Sequence, residues 1–376
     1  MKLFRCAKCG HIVYFENSHC HKCKAPLGFD ADDMELKALQ PESNGLFRAY
    51  SDQSDTPSGQ WRYCENQQHG VCNWLVPADS DKKMCVACDV NRYIPNLNDP
   101  DKLESWQYME QAKHRLIYSL RKFNLPIFNK NNDPKGGLTF DFIDSSEPMP
   151  ADAAPTTGHA EGRVTINTDE ADPAKREQVR QDMNESYRTL LGHFRHEIGH
   201  YYWDVLIANN PEWLAKYRSL FGDERADYGQ ALKAHYANGP APDWRDSYVS
   251  AYAASHPWED WAETWAHYLH IVDTLETAYA FGVSIKPVIT DGDSGLSMDA
   301  NRDAYAMEDY DELVEKAVSL TFAVNSLNRS MGQPDLYPFV LNSTVKEKMR
   351  FVHDLLWSCR NTVALSETAP SDATPV

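Results

Sequence analysis

Beyond about Asp99, apolar residues recur at helical spacing through most of the chain, which predicts a mainly helical region. The stretch LESWQYMEQAKHRLIYSLRKFNL (103–125) carries this pattern and stops at Pro126. A single helical run is expected from about Pro173 to Ala208, with Met183, Tyr187, Leu190, Leu191 and Phe194 as its apolar face. Another helix is expected in SHPWEDWAETWAHYLHIVDTLETAYAFG: Pro257 stands at a first helical position, acids fill the first turn and Gly282 follows the end. DYDELVEKAVSLTFAVNSLNRSMG and NSTVKEKMRFVHDLLWSCRN read as closing helices, and 363–376 as a disordered tail. Two segments change period. GGLTFDFI and GRVTINT alternate and predict strands of a small antiparallel sheet, separated by a Pro/Ala-rich loop.

The first hundred residues have another texture. Eight of the nine cysteines lie there, in two quartets. Cys6, Cys9, Cys20 and Cys23 form CxxC-x10-CxxC, the spacing of two knuckles that clamp one zinc ion through four thiolates. Cys64, Cys72, Cys85 and Cys88 are more loosely spaced and predict a second closed site. Such sites stabilise folds too small to bury enough surface, and leave no position for substrate. The expected divisions are a zinc ribbon at 1–28, a short helix and linker at 29–60, a second four-cysteine module at 61–96 and a helical domain at 97–362. Cys359, among apolar neighbours, reads as a buried small residue.

Composition narrows the function classes. The chain has 376 residues and a formal charge of −18, which disfavours nucleic acid and anionic membranes as partners. No segment reaches the length of a membrane helix and no secretory signal stands at Met1, so a cytoplasmic location is expected, where thiols stay reduced. RCAKCGHIVYFENSHCHKCKAP is locally basic. A ribbon-based nucleic-acid or protein-binding regulator on a silent scaffold is therefore the alternative to an enzyme, with protein docking the preferred role for the ribbons.

The enzyme reading starts from GHFRHEIGHYYWD. His196 and His200, four apart on a helix, present ring nitrogens to one ion, and Glu197 sits beside the first ligand. A zinc ion there lowers the pKa of a water towards about 7, and Glu197 serves as general base. The third ligand is expected from the next helix: Glu259, with Glu263 holding a histidine through its second N–H. The reverse assignment and His267 are the alternatives. Tyr252, seven residues before Glu259, is the candidate donor to the tetrahedral oxyanion, with Tyr248 and His256 behind it. His193 reads as structural or supporting. An extended peptide substrate is expected to add to the edge of the GRVTINT strand.

CNWL, AKHRLIYSL, TGHAEGRVTIN, YRTLLGHFRHEIGHYYWD, LFGDERADYGQAL and HPWEDWAETWAHYLHIVDTLETA resemble a bacterial family of zinc-binding metallopeptidases that carry an N-terminal zinc ribbon. The resemblance spans residues 1 to about 360. It implies an α+β, zincin-like peptidase domain, one catalytic zinc, one or two structural zincs, and peptide or protein substrates. The Glu-x-x-x-Glu arrangement is similar to that of gluzincins, implying Glu259 as ligand and Glu263 as its support. In the lethal-factor-like branch a tyrosine seven residues before the ligand assists catalysis, which points to Tyr252. The chain departs from thermolysin-like enzymes in the 58 residues between His200 and Glu259.

Overall fold

Short antiparallel strands β1 (Phe4–Arg5) and β2 (Ile12–Val13) open the fold. Beside them the two CxxC turns meet, with Cys6 and Cys23 sulfurs 3.7 Å apart and those of Cys9 and Cys20 3.6 Å apart. The computed structural model describes residues 2–50, 59–144, 146, 157–182, 185, 187–288 and 295–367.

The segment expected as helix and linker carries strands instead. An antiparallel sheet runs in sequential order through β3 (Leu27–Asp30), β4 (Glu35–Pro41), β5 (Phe47–Ala49), β6 (Gln60–Tyr63) and β7 (Leu75–Pro77). The reason is a period of two: Leu36 and Ala38 are buried on one face of β4, opposite Phe29 and Leu27. Residues 51–58 of that segment lie outside the described residues.

A second sheet contains β8 (Asn91–Tyr93), β9 (Thr139–Ile143), β10 (Gly158–Ala160) and β11 (Arg163–Asn167), in the order β10-β11-β9-β8. It is mixed rather than antiparallel: β10 opposes β11, whereas β11 and β8 both run parallel to β9. The chain from 144 to 162 is long enough to return β11 in the direction of β9. Buried at all five positions, β9 is a central strand. The edge expected at GRVTINT is therefore closed, because β11 is paired on both sides; β10 lies at the margin instead.

Among the described residues there are eight α-helices, and those expected from the sequence form with two corrections. The run expected at 173–208 is broken into α2 (Pro173–Asp182) and α3 (Leu190–Leu206). Thr189 caps α3, its hydroxyl accepting from Gly192 N–H at 3.0 Å, and Arg188 pairs with Glu185 and Glu170 across the break. Met183 lies outside the described residues. The others are α1 (Pro100–Lys122), α4 (Pro211–Phe221), α5 (Tyr228–Asn238), α6 (Pro257–Phe281), α7 (Tyr310–Ser330) and α8 (Ser343–Glu367). Of these, α4 and α5 are not expected from the sequence. Helix α8 continues past the expected start of the tail at 363, for no glycine or proline intervenes before Pro370. Residues 368–376 lie outside the described residues. Among the described residues no helix is long and apolar enough to cross a membrane.

The cysteine-rich region is docked on α1. Phe15 meets Tyr118 edge-on at 5.4 Å, Phe29 packs on Trp74 at 4.8 Å, and Arg115 donates to Glu16 at 2.7 Å. From its other side Tyr118 donates to Glu276 of α6 at 2.6 Å. Helix α1 thus ties the N-terminal strands to the helix pair that carries the site.

Candidate metal centre

Helices α3 and α6 cross at Gly199. A Cβ there would lie 3.1 Å from the Cα of Ala262 and 3.2 Å from the Trp265 ring, and Trp261 Nε1–H donates to the Gly199 carbonyl at 2.8 Å. Helix α6 begins at His256, which accepts from the Trp258 N–H at 3.1 Å, followed by Pro257 and two acids in the first turn. This start sets Glu259 opposite the two histidines.

His196 Nε2, His200 Nε2 and Glu259 Oε2 converge. Their separations are 2.9 Å (His196–Glu259), 3.2 Å (His196–His200) and 3.5 Å (His200–Glu259). A tetrahedral ion with metal–nitrogen bonds of about 2.0–2.1 Å separates its ligand atoms by about 3.3 Å, so the triangle has the right size for zinc. All three residues are buried, and Glu259 Oε2 has no hydrogen-bond partner, an orphan expected of an atom aimed at a cation. Burial opposes ionisation of Glu259, yet the imidazoles of His200 and His196 hold its carboxyl well below the usual range.

The surroundings fix these groups. His196 Nδ1–H donates to Glu263 Oε1 at 2.7 Å, leaving the Nε2 lone pair for the centre, and Ser250 donates to Glu263 Oε2 at 2.6 Å. Of the acids and the histidine considered for the third position, Glu263 lies on the far nitrogen of His196, and His267 is engaged by the Tyr337 hydroxyl at 2.9 Å. Tyr248 is stacked under the Lys348 ammonium, and His256 is taken up in the cap and against Ala226 O. Tyr252 lies with its ring 5.8 Å from that of His196. Burial above all, with the charge of Glu259 adding, pushes its phenol far above the ordinary range, so it remains a donor.

Glu197 is held at one oxygen only. His193 Nε2–H donates to its Oε1 at 3.1 Å, while Oε2 is buried and unpartnered. His193 in turn donates through Nδ1 to Glu170 at 2.6 Å. Against burial, the two carboxylates raise His193 to about 9.

Three participants escaped the sequence reading. Tyr228, at the start of α5, donates to Glu259 Oε1 at 2.7 Å. His159 on β10 lies with its ring 6.4 Å from that of His200. Glu170 holds His193. Each stands far along the chain from HExxH; His159 and Tyr228 fall in stretches that carry the resemblance, but no spacing assigns either of them, or Glu170, to the site.

The cysteine quartets also gather. In each, all four sulfurs lie within 4.8 Å of one another. In the second, the backbone N–H groups of Cys85 and Trp74 donate to the sulfurs of Cys64 and Cys72 at 3.4 Å. Cys88 also faces α1, with Glu110 Oε2 at 3.8 Å and His114 Nε2 at 3.9 Å.

Comparison with known proteins agrees with this picture. Residues 102–355 match the family described as "Putative zinc-binding metallo-peptidase", and residues 3–99 match a zinc-ribbon domain, so the ribbon region is matched as one unit. Uncharacterized proteins of Mycobacterium bovis and of two Mycobacterium tuberculosis strains are 41% identical over 356 residues, covering 95% of this chain and of each relative. No solved structure matches the chain. The chain belongs to the zinc-binding metallopeptidase family with an N-terminal zinc-ribbon domain.

Proposed function

We propose that this protein is a zinc-dependent peptidase of zincin, gluzincin-like type that hydrolyses peptide or isopeptide bonds. In this reading His196, His200 and Glu259 hold the catalytic zinc, and the two cysteine quartets hold structural zincs. The observation that carries it is the triangle of His196, His200 and Glu259 beside a buried base with one free oxygen.

When bound, the ion supplies Lewis acidity, lowering the pKa of a water towards about 7 and polarising the scissile carbonyl. The rest is the work of side chains. Glu197 Oε2 accepts a proton from the attacking water, while Oε1 stays anchored on His193. The same carboxyl then passes the proton to the departing amine. Glu263 keeps His196 in the tautomer that presents Nε2, and Tyr228 fixes the outer oxygen of Glu259. Tyr252, whose phenol burial holds above its ordinary range, donates to the oxygen on which negative charge develops. The margin strand β10 is the place for an extended substrate to add. The ribbons serve to recruit a protein partner or substrate, and the protein works in the cytoplasm.

The test is incubation of the purified chain with a diverse peptide library, with and without chelator. Cleavage that a chelator abolishes and zinc restores supports the reading; absence of cleavage across the library with the zinc site filled contradicts it.

A further inference from the structure

The sheet that borders the metal centre also borders a cavity of different chemistry. Arg92, Lys130, Lys135 and Arg163 ring a space of about 840 Å³, with Glu161 at its rim and Gly136 in its wall. Four cations around one space stand out in a chain of net charge −18. Three carboxylates, Asp133, Asp141 and Glu161, lie among these four cations and offset part of their charge. Asp141 is buried and engaged by Arg92, whose Nε–H donates to it at 2.8 Å, while Asp133 and Glu161 act on Lys130. Lys130 points its ammonium at backbone carbonyls, among them that of Glu161 at 2.6 Å. Burial first, and then the charge of Arg163, hold that ammonium below its ordinary range, so an incoming anion relieves the crowding of like charges.

The cavity is built around the tip of the β10–β11 hairpin. Glu161 (φ +49°) and Gly162 (φ +78°) both take positive φ, as a two-residue hairpin turn of the favoured hand requires. A Cβ at Gly162 would lie 2.4 Å from the carbonyl oxygens of Gly136 and Gly137, so the tip rests directly on that backbone. The same hairpin reaches the metal centre. His159, on β10, lies with its ring 6.4 Å from that of His200. A single strand of three residues, about 10 Å long, thus links the cavity to the candidate catalytic residues.

We propose that the cavity ringed by Arg92, Lys130, Lys135 and Arg163 binds a carboxylate of the peptide substrate. This rests on the peptidase reading above and adds a substrate class to it: peptides with a carboxylate roughly two to four residues from the scissile bond, given the rise of an extended chain. A peptide laid along β10 reaches the hairpin tip at about that distance. A guanidinium suits contact with a carboxylate, as Arg92 makes with Asp141 through Nε and Nη2, and the lysines add point charge. The carboxylate belongs either to an acidic side chain or to the peptide's C-terminus.

Binding to the zinc-loaded Glu197→Gln chain, followed by fluorescence anisotropy, tests this without turnover. Three randomised decapeptide pools are compared: one amidated with a fixed central glutamate, its amidated glutamine twin, and the glutamine twin with a free C-terminal carboxyl group. A carboxylate pool is expected to bind at least about tenfold tighter than the amidated glutamine pool, in line with charge-assisted hydrogen bonds. Which carboxylate pool gains identifies the source. The preference should shrink towards unity in Arg163→Gln, and also in Lys135→Gln, whose exposed side chain makes misfolding no explanation. Equal affinities, no measurable binding by any pool, or a preference that survives both substitutions overturns the proposal. The two readings separate cleanly: cleavage by the wild-type chain without carboxylate preference removes the subsite and leaves the peptidase, and selective binding without cleavage does the reverse.

Discussion

His193 donates to Glu197 at 3.1 Å through one ring nitrogen and to Glu170 at 2.6 Å through the other. A doubly protonated imidazole between two carboxylates clamps the candidate base from behind and leaves its other oxygen open. The clamp lies three residues from His196 in sequence, but its outer carboxylate comes from the turn after β11.

The clamp has a pH signature. Its folded value of about 9 lies above the ordinary 6.5. A raised value means that the charge stabilises the fold fully below about pH 6.5 and that this contribution fades as pH rises from there through about 9. The wild-type melting temperature should therefore fall over that interval more steeply than that of His193→Gln. The same substitution should lower kcat by about 10–100-fold, the usual cost of losing an outer partner at a metal site. Parallel melting curves across pH 6–10 would remove the clamp.

Gly199 sets the distance between α3 and α6. With Ala262 Cα at 3.1 Å from the position of an added Cβ, Gly199→Ala must push backbone away rather than turn a flexible side chain. Such overpacking costs about 1–3 kcal/mol. It also spreads His196 and His200 from Glu259. Zinc should be lost from that centre at lower chelator concentration than in the wild type, while the cysteine sites keep theirs. Unchanged chelator resistance would show that the crossing does not set ligand spacing.

The second quartet is bolted to α1 rather than free-standing. Cys88 faces Glu110 and His114, and Glu110 is fully buried with Lys113 at 2.8 Å and Asn91 at 2.7 Å. His114→Ala should weaken zinc at this quartet by about 10–100-fold and leave the first quartet untouched. Because α1 also holds α6 through Tyr118 and Glu276, the melting temperature should drop along with it. Loss of zinc from both quartets alike would contradict an outer role for His114.

Tyr228 holds the outer oxygen of Glu259 at 2.7 Å. Tyr228→Phe keeps the ring and removes the hydrogen bond, at a cost of about 1.5–3 kcal/mol for a bond to a charged group. Weaker zinc retention with the fold intact is the expected outcome, read by chelator titration alongside circular dichroism. Identical titration curves would leave Tyr228 without a part in holding the ligand.

Much of this was legible in the residues themselves. Pro257 and Gly282 mark the start and end of α6, and Gly282 does take the left-handed conformation at φ +63°. The alternation in LTFDFI and RVTIN marks β9 and β11. The histidine pair and the acid four before Glu263 are likewise readable, because helical spacing alone fixes their common face. What escaped depends on distant pairing. The Glu35–Pro41 strand looks helical in composition until Leu36 and Ala38 are set against Phe29 and Leu27. Whether β11 runs with or against β9 is decided by the return of the intervening chain, not by either strand's pattern. The parts of Glu170, His159 and Tyr228 exist only once the chain has folded, since none is spaced from the HExxH helix by a helical or strand period.

The most direct measurement is zinc per chain in wild type and His196→Ala, with peptide cleavage by Glu197→Gln measured on the same preparations. Three zincs are expected in the wild type and two in His196→Ala, while Glu197→Gln keeps three and loses cleavage by at least about 100-fold. A His196→Ala chain that retains every zinc, or a Glu197→Gln chain that cleaves at the wild-type rate, would contradict a catalytic ion held by His196, His200 and Glu259.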